Sequence, residues 1–211
     1  MSVRELPDRP LVVGICGGSC SGKSTFVRAL EERLLEPVSR LCFDSYYRPL
    51  RHMSKAERDR QNFDHPASLD HELFVDHLDA LLGGRAVNEP VYDFANHDRL
   101  EQARRVEPRR LLLVDGILLM AWREITERLD LSIFIDAPEH SRLARRIRRD
   151  VVERGRTEES VRRQFAETVA PMHDLYVQPA AEKTDRVVAA EDDVAAFAAG
   201  LARELTERLR R

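Results

Sequence analysis

One short segment restricts the fold of this chain more than any other feature of its sequence. Residues 17–24 (GGSCSGKS) match the pattern G-x-x-x-x-G-K-[ST], and they lie between an apolar run at 11–16 (LVVGIC) and a helical pattern from Thr25 to Leu35. In such a strand–loop–helix context, glycines let backbone N–H groups surround phosphate groups, and the helix N-terminus adds partial positive charge. The segment therefore predicts a nucleoside triphosphate site after the first strand.

The side chains of this loop have separate expected tasks. Lys23, one of three lysines among 34 basic residues, is expected to reach the β- and γ-phosphates as a compact point charge. The Ser24 hydroxyl is expected to bind Mg²⁺, and we interpret Cys20 as a small filler rather than a redox group. The residues expected to contact ATP or GTP are Gly17, Gly18, Ser19, Cys20, Ser21, Gly22, Lys23, Ser24 and Thr25.

The rest of the chain alternates between patterns of strand length and helical patterns. Amphipathic helices are predicted over 69–82 and 192–210 from apolar residues spaced three and four apart. The apolar runs of strand length lie at 11–16, 38–43, 110–114, 131–136 and 184–189. Strands that alternate with helices and are apolar along most of their length predict an α/β fold, with a parallel five-stranded sheet covered on both faces.

One segment departs from this alternation. Residues 86–106 read more like a β-hairpin, with Gly83-Gly84 before them and Pro108 after them. We therefore predict an insertion at the rim of the sheet. The length is compatible with a single domain over residues 1–211.

Two acidic residues follow predicted strands, at Asp44 and Asp115. Open α/β sheets bind their ligands at the carboxyl ends of the strands. Two carboxylates there, beside a phosphate loop, could divide the work: one orients Mg²⁺, as a Walker B Asp does, and the other accepts a proton from an attacking hydroxyl. Either Asp alone could equally be a helix cap or a turn residue.

A dense set of arginines follows the fourth predicted strand. Nine arginines lie between residues 142 and 163. On a helix over 139–152, Arg142, Arg146 and Arg149 share one face, and an apolar stripe of three residues, at 143, 147 and 151, lies on another. Thr157 is predicted to cap a second helix. A solvated charged face is the usual role of such a run, but the density favours a lid over residues 139–165 that closes on phosphates.

Composition and charge exclude several classes of partner. The formal net charge is −3 and the isoelectric point about 6.2, so the diffuse basic field that nonspecific nucleic-acid or membrane binding needs is not expected. Three cysteines and an N-terminal segment without an apolar core favour a reducing compartment. The expected location is the cytoplasm, with no nucleic-acid or membrane partner.

Together with the phosphate loop, several segments give the chain a close resemblance to the uridine–cytidine kinase family of P-loop phosphotransferases. The resemblance extends from about residue 11 to residue 188. The segments that carry it are DSYYR at 44–48, NFDHP at 62–66, PVYDF at 90–94 with His97, and the stretch from Arg149-Asp150 to Gln164. It implies a P-loop NTPase fold and transfer of a γ-phosphoryl group from ATP or GTP, with Mg²⁺, to a pyrimidine nucleoside.

The resemblance also implies roles for individual residues. Asp44 would be the general base for the nucleoside 5′-hydroxyl, and Lys23, Arg149 and Arg154 would contact phosphates as part of the catalytic machinery. Asp64 would bind the ribose hydroxyls. A homotetramer is expected from the resemblance alone.

The remaining implied roles concern the nucleoside. Tyr92 and His97, on the predicted hairpin, would read the edge of the pyrimidine and exclude a purine by the length of their side chains. The other residues implied to bind the nucleoside are Phe63, Tyr47, Arg146, Arg156 and Gln164.

The chain departs from the family's pattern at Asp115, where many members have Glu. Its expected contact with Mg²⁺, alongside Ser24 and Asp44, therefore depends more on water. One alternative function is that of a related kinase that phosphorylates phosphoribulose, pantothenate or nicotinamide riboside. A GTPase-like switch is another, although the sequence contains no Asn-Lys-x-Asp motif for reading guanine.

Overall fold

The computed structural model describes residues 9–190 and 192–210 of the chain. The seven strands are β1 Leu11–Cys16, β2 Ser39–Cys42, β3 Val87–Asp93, β4 Asp98–Val106, β5 Leu111–Asp115, β6 Leu131–Asp136 and β7 Arg186–Ala189. Five of them form one parallel sheet in the order β2-β5-β1-β6-β7. The predicted five-stranded parallel sheet is therefore confirmed.

Helices connect the strands and cover the sheet. The α-helices are α1 Lys23–Glu31, α2 Lys55–Arg58, α3 His71–Leu82, α4 Arg123–Thr126, α5 Glu139–Arg154, α6 Glu158–Gln164, α7 Ala170–Met172 and α8 Val194–Arg210. Short 3₁₀ turns lie at Phe43–Tyr46, Pro66–Ser68, Leu119–Ala121 and Gln178–Ala180, and π-helical turns at Phe165–Val169 and His173–Val177. Within the described ranges, no helix is long and apolar enough to cross a membrane.

Hydrophobic cores fill both sides of the sheet because side chains alternate along each strand. On one face, Val13 and Ile15 of β1 pack with α1 and with the apolar side of α8. On the other face, Val12 and Cys16 belong to a core that includes α3 and the β3–β4 hairpin. Burial on both faces leaves the carboxyl edge of the strands as the accessible side for ligands.

The predicted insertion is a separate two-stranded antiparallel sheet. Strands β3 and β4 pair from Val87–Val106 to Asp93–Asp98, with an irregularity between Pro90 and Tyr92. The hairpin is joined to the edge strand β2 by Glu89, whose side chain accepts a hydrogen bond of 2.7 Å from the Cys42 backbone N–H. This contact fixes the hairpin beside the end of β2, next to Asp44.

The two helices of the arginine-rich region begin where the sequence predicts. Thr157 caps α6, because its side chain accepts a hydrogen bond from the Ser160 N–H, and Gly155 ends α5 with a φ of 64°. The burial of α5 is unusual, since its buried residues are Arg142, Arg146 and Asp150. The apolar stripe of Leu143, Ile147 and Val151 lies at partly or fully exposed positions instead. The charged face of α5 is therefore the one turned inward, towards the phosphate loop.

Candidate functional site

The phosphate loop has a backbone that only glycine adopts easily at two positions. Gly17 has a φ of 139° and Gly22 a φ of 111°. A Cβ at Gly17 would lie 2.4 Å from the Ile135 carbonyl oxygen on β6, and one at Gly18 would lie within 2.9 Å of Arg142 and His173. The loop is thus pressed against neighbouring elements, so Gly17 and Gly18 leave no room for a side chain there.

Polar side chains hold this loop from within and from α5. Lys23 is buried, and its Nζ donates to the carbonyl oxygens of Gly17 at 2.9 Å and Gly18 at 3.0 Å. Arg145 donates to the Ser21 carbonyl oxygen at 3.0 Å. The ammonium group of Lys23 therefore lies within the loop that the motif predicts to surround phosphates.

Two pockets adjoin at the carboxyl edge of the sheet. We call the first the phosphate-loop pocket; it is lined by Ser19, Cys20, Gly22, Lys23, Ser24, Thr25, Cys42, Asp44, Asp115, Ile117, Arg145 and Arg149. We call the second the aromatic pocket; it is lined by Ser19, Asp44, Tyr47, Phe63, Asp64, Tyr92, Phe94, His97, Ile117, Arg146, Arg149, Arg154, Arg156 and Gln164. Ser19, Asp44, Ile117 and Arg149 line both. These four residues form the boundary between the two pockets, so a chemical group transferred from one pocket to the other would pass beside them.

Asp44 is the acid on this boundary. It follows β2 in the first turn of a 3₁₀ helix, and its Oδ1 accepts a hydrogen bond of 3.4 Å from the Ile117 N–H. Burial raises the pKa of Asp44, and the nearby Asp115 adds to this, while Lys23 opposes it. A carboxylate with a raised pKa is a stronger proton acceptor once it is ionised, which suits a general base.

Asp115, at the end of β5, lies beside Asp44 because β2 and β5 are neighbours in the sheet. Cys42 and Asp115 are register partners. The Asp115 carboxylate accepts from Arg40, with Nε–Oδ1 at 3.0 Å and Nη2–Oδ2 at 3.4 Å. Nothing in the sequence indicated this pairing. An ion approaching Asp115 would share its oxygens with Arg40, so direct ligation stays a prediction.

The donor set around the phosphate loop has the chemistry that Mg²⁺ prefers. It consists of oxygens from Ser24, Asp44 and Asp115, all of which line the phosphate-loop pocket. No cluster of three or more His, Cys, Asp or Glu ligands exists within residues 9–190 and 192–210. Mg²⁺ is commonly bound by one or two carboxylates together with waters and substrate phosphates, so these residues fit the ion without a closed cage.

Aromatic rings make up one wall of the aromatic pocket. Tyr47 lies at the centre, with ring centroids 5.1 Å from Tyr92 and 5.6 Å from Phe63. Phe63 stacks on His97 at 4.5 Å with an interplanar angle of 15°, and Phe94 is 5.1 Å from Tyr92. The wall is assembled from three separate segments and offers flat apolar surface of the kind that stacks on a nucleobase.

Two polar groups in this wall suit recognition of a base edge. The Tyr92 hydroxyl is buried and has no hydrogen-bond partner among the described residues. Burial, with help from the charge of Lys55, lowers the pKa of His97 to about 4, so its imidazole is neutral near pH 7. A buried hydroxyl without a partner costs free energy unless a ligand satisfies it.

Asp64 supplies a carboxylate to the same pocket. It is 8% exposed. Burial raises the pKa of Asp64, Arg146 opposes the shift, and Asp44 adds to it. A carboxylate there can accept hydrogen bonds from two adjacent hydroxyl groups, which is the chemistry expected for binding a ribose.

The arginines of α5 and of the turn after it form the opposite wall. Arg146 donates to the Ser19 hydroxyl at 2.9 Å and to Gln164 Oε1 at 3.1 Å, and Arg156 also donates to Gln164 Oε1. The Arg154 guanidinium lies 4.9 Å from the centroid of Phe94. Gln164 thus ties the middle of α5, at Arg146, to Arg156 after Gly155, which gives this wall a fixed shape.

Every residue that the sequence predicts for the site lies in one pocket or the other, apart from Gly17, Gly18 and Ser21, which lie within the phosphate loop. Five residues of the site were not predicted from the sequence: Cys42, Phe94, Ile117 and Arg145, which line the pockets, and Arg40, which pairs with Asp115. Phe94 stands inside the PVYDF segment that carries the resemblance, so a signal for it was available. Ile117 and Arg145 line a pocket only because the fold brings them there, and Arg40 takes part through an ion pair with Asp115. Neither kind of contact can be recognised in a single sequence.

Comparisons with known proteins identify the family and the fold. The model of the phosphoribulokinase/uridine kinase family matches residues 12–196. A uridine kinase from Chloroflexus aurantiacus is 42% identical over 83% of this chain and 85% of its own length, and one from Clostridium perfringens is 39% identical over 85% and 87%. The structure of phosphoribulokinase from Rhodobacter spheroides superposes with a TM-score of 0.65 at 16% identity, over 88% of this chain and 74% of that chain, and therefore shows a shared fold.

Proposed function

Because this chain belongs to the phosphoribulokinase/uridine kinase family, we propose that it is a uridine kinase, which transfers the γ-phosphoryl group of ATP or GTP to the 5′-hydroxyl of uridine or cytidine. The observation that carries the proposal is the position of Asp44, which lines both the phosphate-loop pocket and the aromatic pocket. A base that serves phosphoryl transfer between two substrates must contact both sites, and Asp44 does.

The donor is held by the phosphate loop and by cations around it. Backbone N–H groups of residues 17–24 and the Lys23 ammonium bind the phosphates, and Arg149, on the boundary between the pockets, faces the transferring group. Mg²⁺, held by Ser24 and Asp44 and through water by Asp115, would neutralise charge on the phosphates. The protein's main contributions are then position and charge, because the transition state of phosphoryl transfer is loose.

The acceptor lies in the aromatic pocket, with its 5′-hydroxyl towards Asp44. The ionised Asp44 accepts the hydroxyl proton as the oxygen attacks the γ-phosphorus. Asp64 accepts hydrogen bonds from the ribose hydroxyls, with Arg146, Arg156 and Gln164 on the opposite side. Arg154 contacts the transferred phosphate.

The base stacks on the aromatic wall. Phe63 and Tyr47 provide flat surface, while the Tyr92 hydroxyl and the neutral His97 imidazole meet the polar edge of the pyrimidine. Side chains that reach the edge of a pyrimidine in this way would exclude the second ring of a purine.

The alternative functions fit less well. Phosphoribulose and pantothenate carry no aromatic ring, so neither would satisfy a pocket with five aromatic or imidazole side chains. A GTPase-like switch needs no second pocket for an acceptor beside the phosphate loop. Nicotinamide riboside shares the ribose and an aromatic ring, and is the alternative that an assay must separate.

The test measures the release of ADP from ATP and asks whether that release depends on an added acceptor. We expect ADP release to be stimulated by uridine or cytidine, and much less by adenosine, nicotinamide riboside, pantothenate or ribulose 5-phosphate. Equal ADP release with and without every nucleoside would contradict kinase activity and favour a switch. Stimulation by nicotinamide riboside alone would reassign the acceptor.

We further propose the setting in which this reaction occurs. The product, UMP or CMP, belongs to pyrimidine salvage, and the protein would act in the cytoplasm on small-molecule substrates. We propose that the chain is a single kinase domain, in which the hairpin at 86–106 binds the nucleoside and residues 139–165 form the lid. A homotetramer is proposed from the family resemblance, and light scattering on the purified protein would test it.

A further inference from the structure

Asp150, in the last turns of α5, lines neither pocket but contacts four arginines. It is 0% exposed. Its Oδ1 lies 2.9 Å from Arg149 Nε and 3.4 Å from Arg154 Nη1. Its Oδ2 lies 3.5 Å from Arg156 Nη1 and 3.6 Å from Arg146 Nε. One carboxylate therefore holds a cluster of four guanidinium groups, all of which line the aromatic pocket.

The cluster has no second counter-ion at close range. Among residues 9–190 and 192–210, Asp150 is the one carboxylate within 4.0 Å of any of these four arginines. Burial would raise the pKa of Asp150, but Arg149, Arg154 and Arg146 lower it overall, so the group is ionised. Burial lowers the pKa of Arg154, and repulsion from Arg149 and Arg146 lowers it further.

The two oxygens of Asp150 divide the arginines according to their proposed tasks. Arg149 and Arg154, proposed to contact phosphates, share Oδ1. Arg146 and Arg156, on the ribose side, share Oδ2 and also converge on Gln164. The same carboxylate thus fixes the spacing between the arginines proposed to contact phosphates and those proposed to contact the ribose.

We propose that Asp150 is a positioning residue for phosphoryl transfer: its buried carboxylate holds Arg146, Arg149, Arg154 and Arg156 at the spacing that both substrates need. This inference rests on the proposed kinase function. Because arginines that face a transferring phosphoryl group act in the transition state, their loss of position should lower kcat more than it weakens binding.

The first test is steady-state kinetics of Asp150→Asn, which keeps the shape of the side chain and removes its charge. We expect kcat to fall about 10²-fold, the cost of a misplacement of about 1 Å in a catalytic group. The KM for uridine should rise by less, because Asp64 and the aromatic wall still bind the nucleoside. Asp150→Glu keeps the charge and should be faster than Asp150→Asn. Glu159→Gln removes an exposed negative charge from α6 and is the control. Its kcat and its KM for uridine should equal those of the unmodified protein.

The second test needs no nucleoside and therefore separates this inference from the proposed function. In Asp150→Asn, the four cations lack their carboxylate, and inorganic phosphate can replace it. We expect added phosphate to raise the Tm of Asp150→Asn more than that of the unmodified protein or Glu159→Gln, at matched ionic strength. If Asp150→Asn is unfolded in chloride, recovery of folded protein in phosphate supports the proposal.

Three results would overturn it. One is a kcat of Asp150→Asn close to that of the unmodified protein. Another is a phosphate response of Asp150→Asn no greater than that of Glu159→Gln. The third is a folded Asp150→Glu variant that is as slow as Asp150→Asn. A failure of uridine to be phosphorylated by the unmodified protein would contradict the proposed function instead, and the phosphate response would still report on the cluster.

Discussion

The two pockets that meet at Asp44 are built in different ways. Half of the residues that line the phosphate-loop pocket belong to one continuous segment, whose shape depends on Gly17 and Gly22 and on contact with β6. The aromatic pocket is made mainly by side chains from the turn after β2, the loop before α3, the β3–β4 hairpin, and α5 and α6 with the turn between them. In the proposed function, backbone N–H groups would bind any phosphate donor, whereas the assembled side chains would select the acceptor. Changes in the two pockets should therefore affect different kinetic constants.

The largest expected effect is at Asp44, where the two pockets join. Asp44→Asn removes the proton acceptor and retains the shape, so kcat should fall by about 10²–10⁴. Titration calorimetry should find uridine still bound, because the aromatic and ribose contacts are unchanged. Near-normal turnover by a folded Asp44→Asn protein would remove Asp44 from its proposed role.

The next largest effect is expected for a change in the phosphate loop, which should weaken the use of ATP but not the binding of uridine. Gly17→Ala places a Cβ 2.4 Å from the Ile135 carbonyl oxygen at a φ of 139°, which costs about 1–3 kcal/mol of backbone strain. We expect the KM for ATP to rise about tenfold or more, with little change in direct binding of uridine. Gly200→Ala, inside α8 and free of close contacts, is the control and should add about 0.5–1 kcal/mol of stability. An unchanged KM for ATP in Gly17→Ala would contradict the tight contact.

A smaller effect should be confined to the aromatic pocket. Tyr92→Phe removes the buried hydroxyl, and His97→Ala removes the imidazole stacked on Phe63. The loss of one hydrogen bond to the base, about 0.5–1.5 kcal/mol, should lower kcat/KM for uridine by up to about tenfold and leave the KM for ATP unchanged. Tyr176→Phe, outside both pockets, is the matched control. Unchanged selectivity between pyrimidine and purine nucleosides would refute the assignment of these two residues.

The smallest effect near neutral pH is that of the protonation of Asp44 on kcat/KM for uridine. Because burial raises the pKa of Asp44, the carboxyl is protonated at a higher pH than an ordinary aspartate and then cannot accept a proton. We expect kcat/KM for uridine to decline as the pH falls through this raised pKa, while the far-ultraviolet circular dichroism stays constant. A rate that is level down to the ordinary aspartate pKa of about 3.9 would contradict the raised value.

The difference between the pockets also explains what the sequence could predict. The phosphate loop is local, so its pattern was sufficient to recognise it, and the five strands followed from their apolar runs. The inward face of α5 was not predictable from hydrophobicity, because Arg142, Arg146 and Asp150 are buried while Val151 is 41% exposed. The four arginines around Asp150 and the pairing of Arg40 with Asp115 depend on tertiary contacts. The π-helical turns after α6 have no signature in the sequence either.

The central claim is that Asp44 connects a donor pocket to a nucleoside pocket at the 5′-hydroxyl. The most direct measurement compares ADP release by the unmodified protein with uridine and with 5′-deoxyuridine, which differ only in that hydroxyl. We expect rapid ADP release and formation of UMP with uridine, and only background release with 5′-deoxyuridine, which should nevertheless compete with uridine. Equal ADP release with both nucleosides, or none with either, would contradict the account.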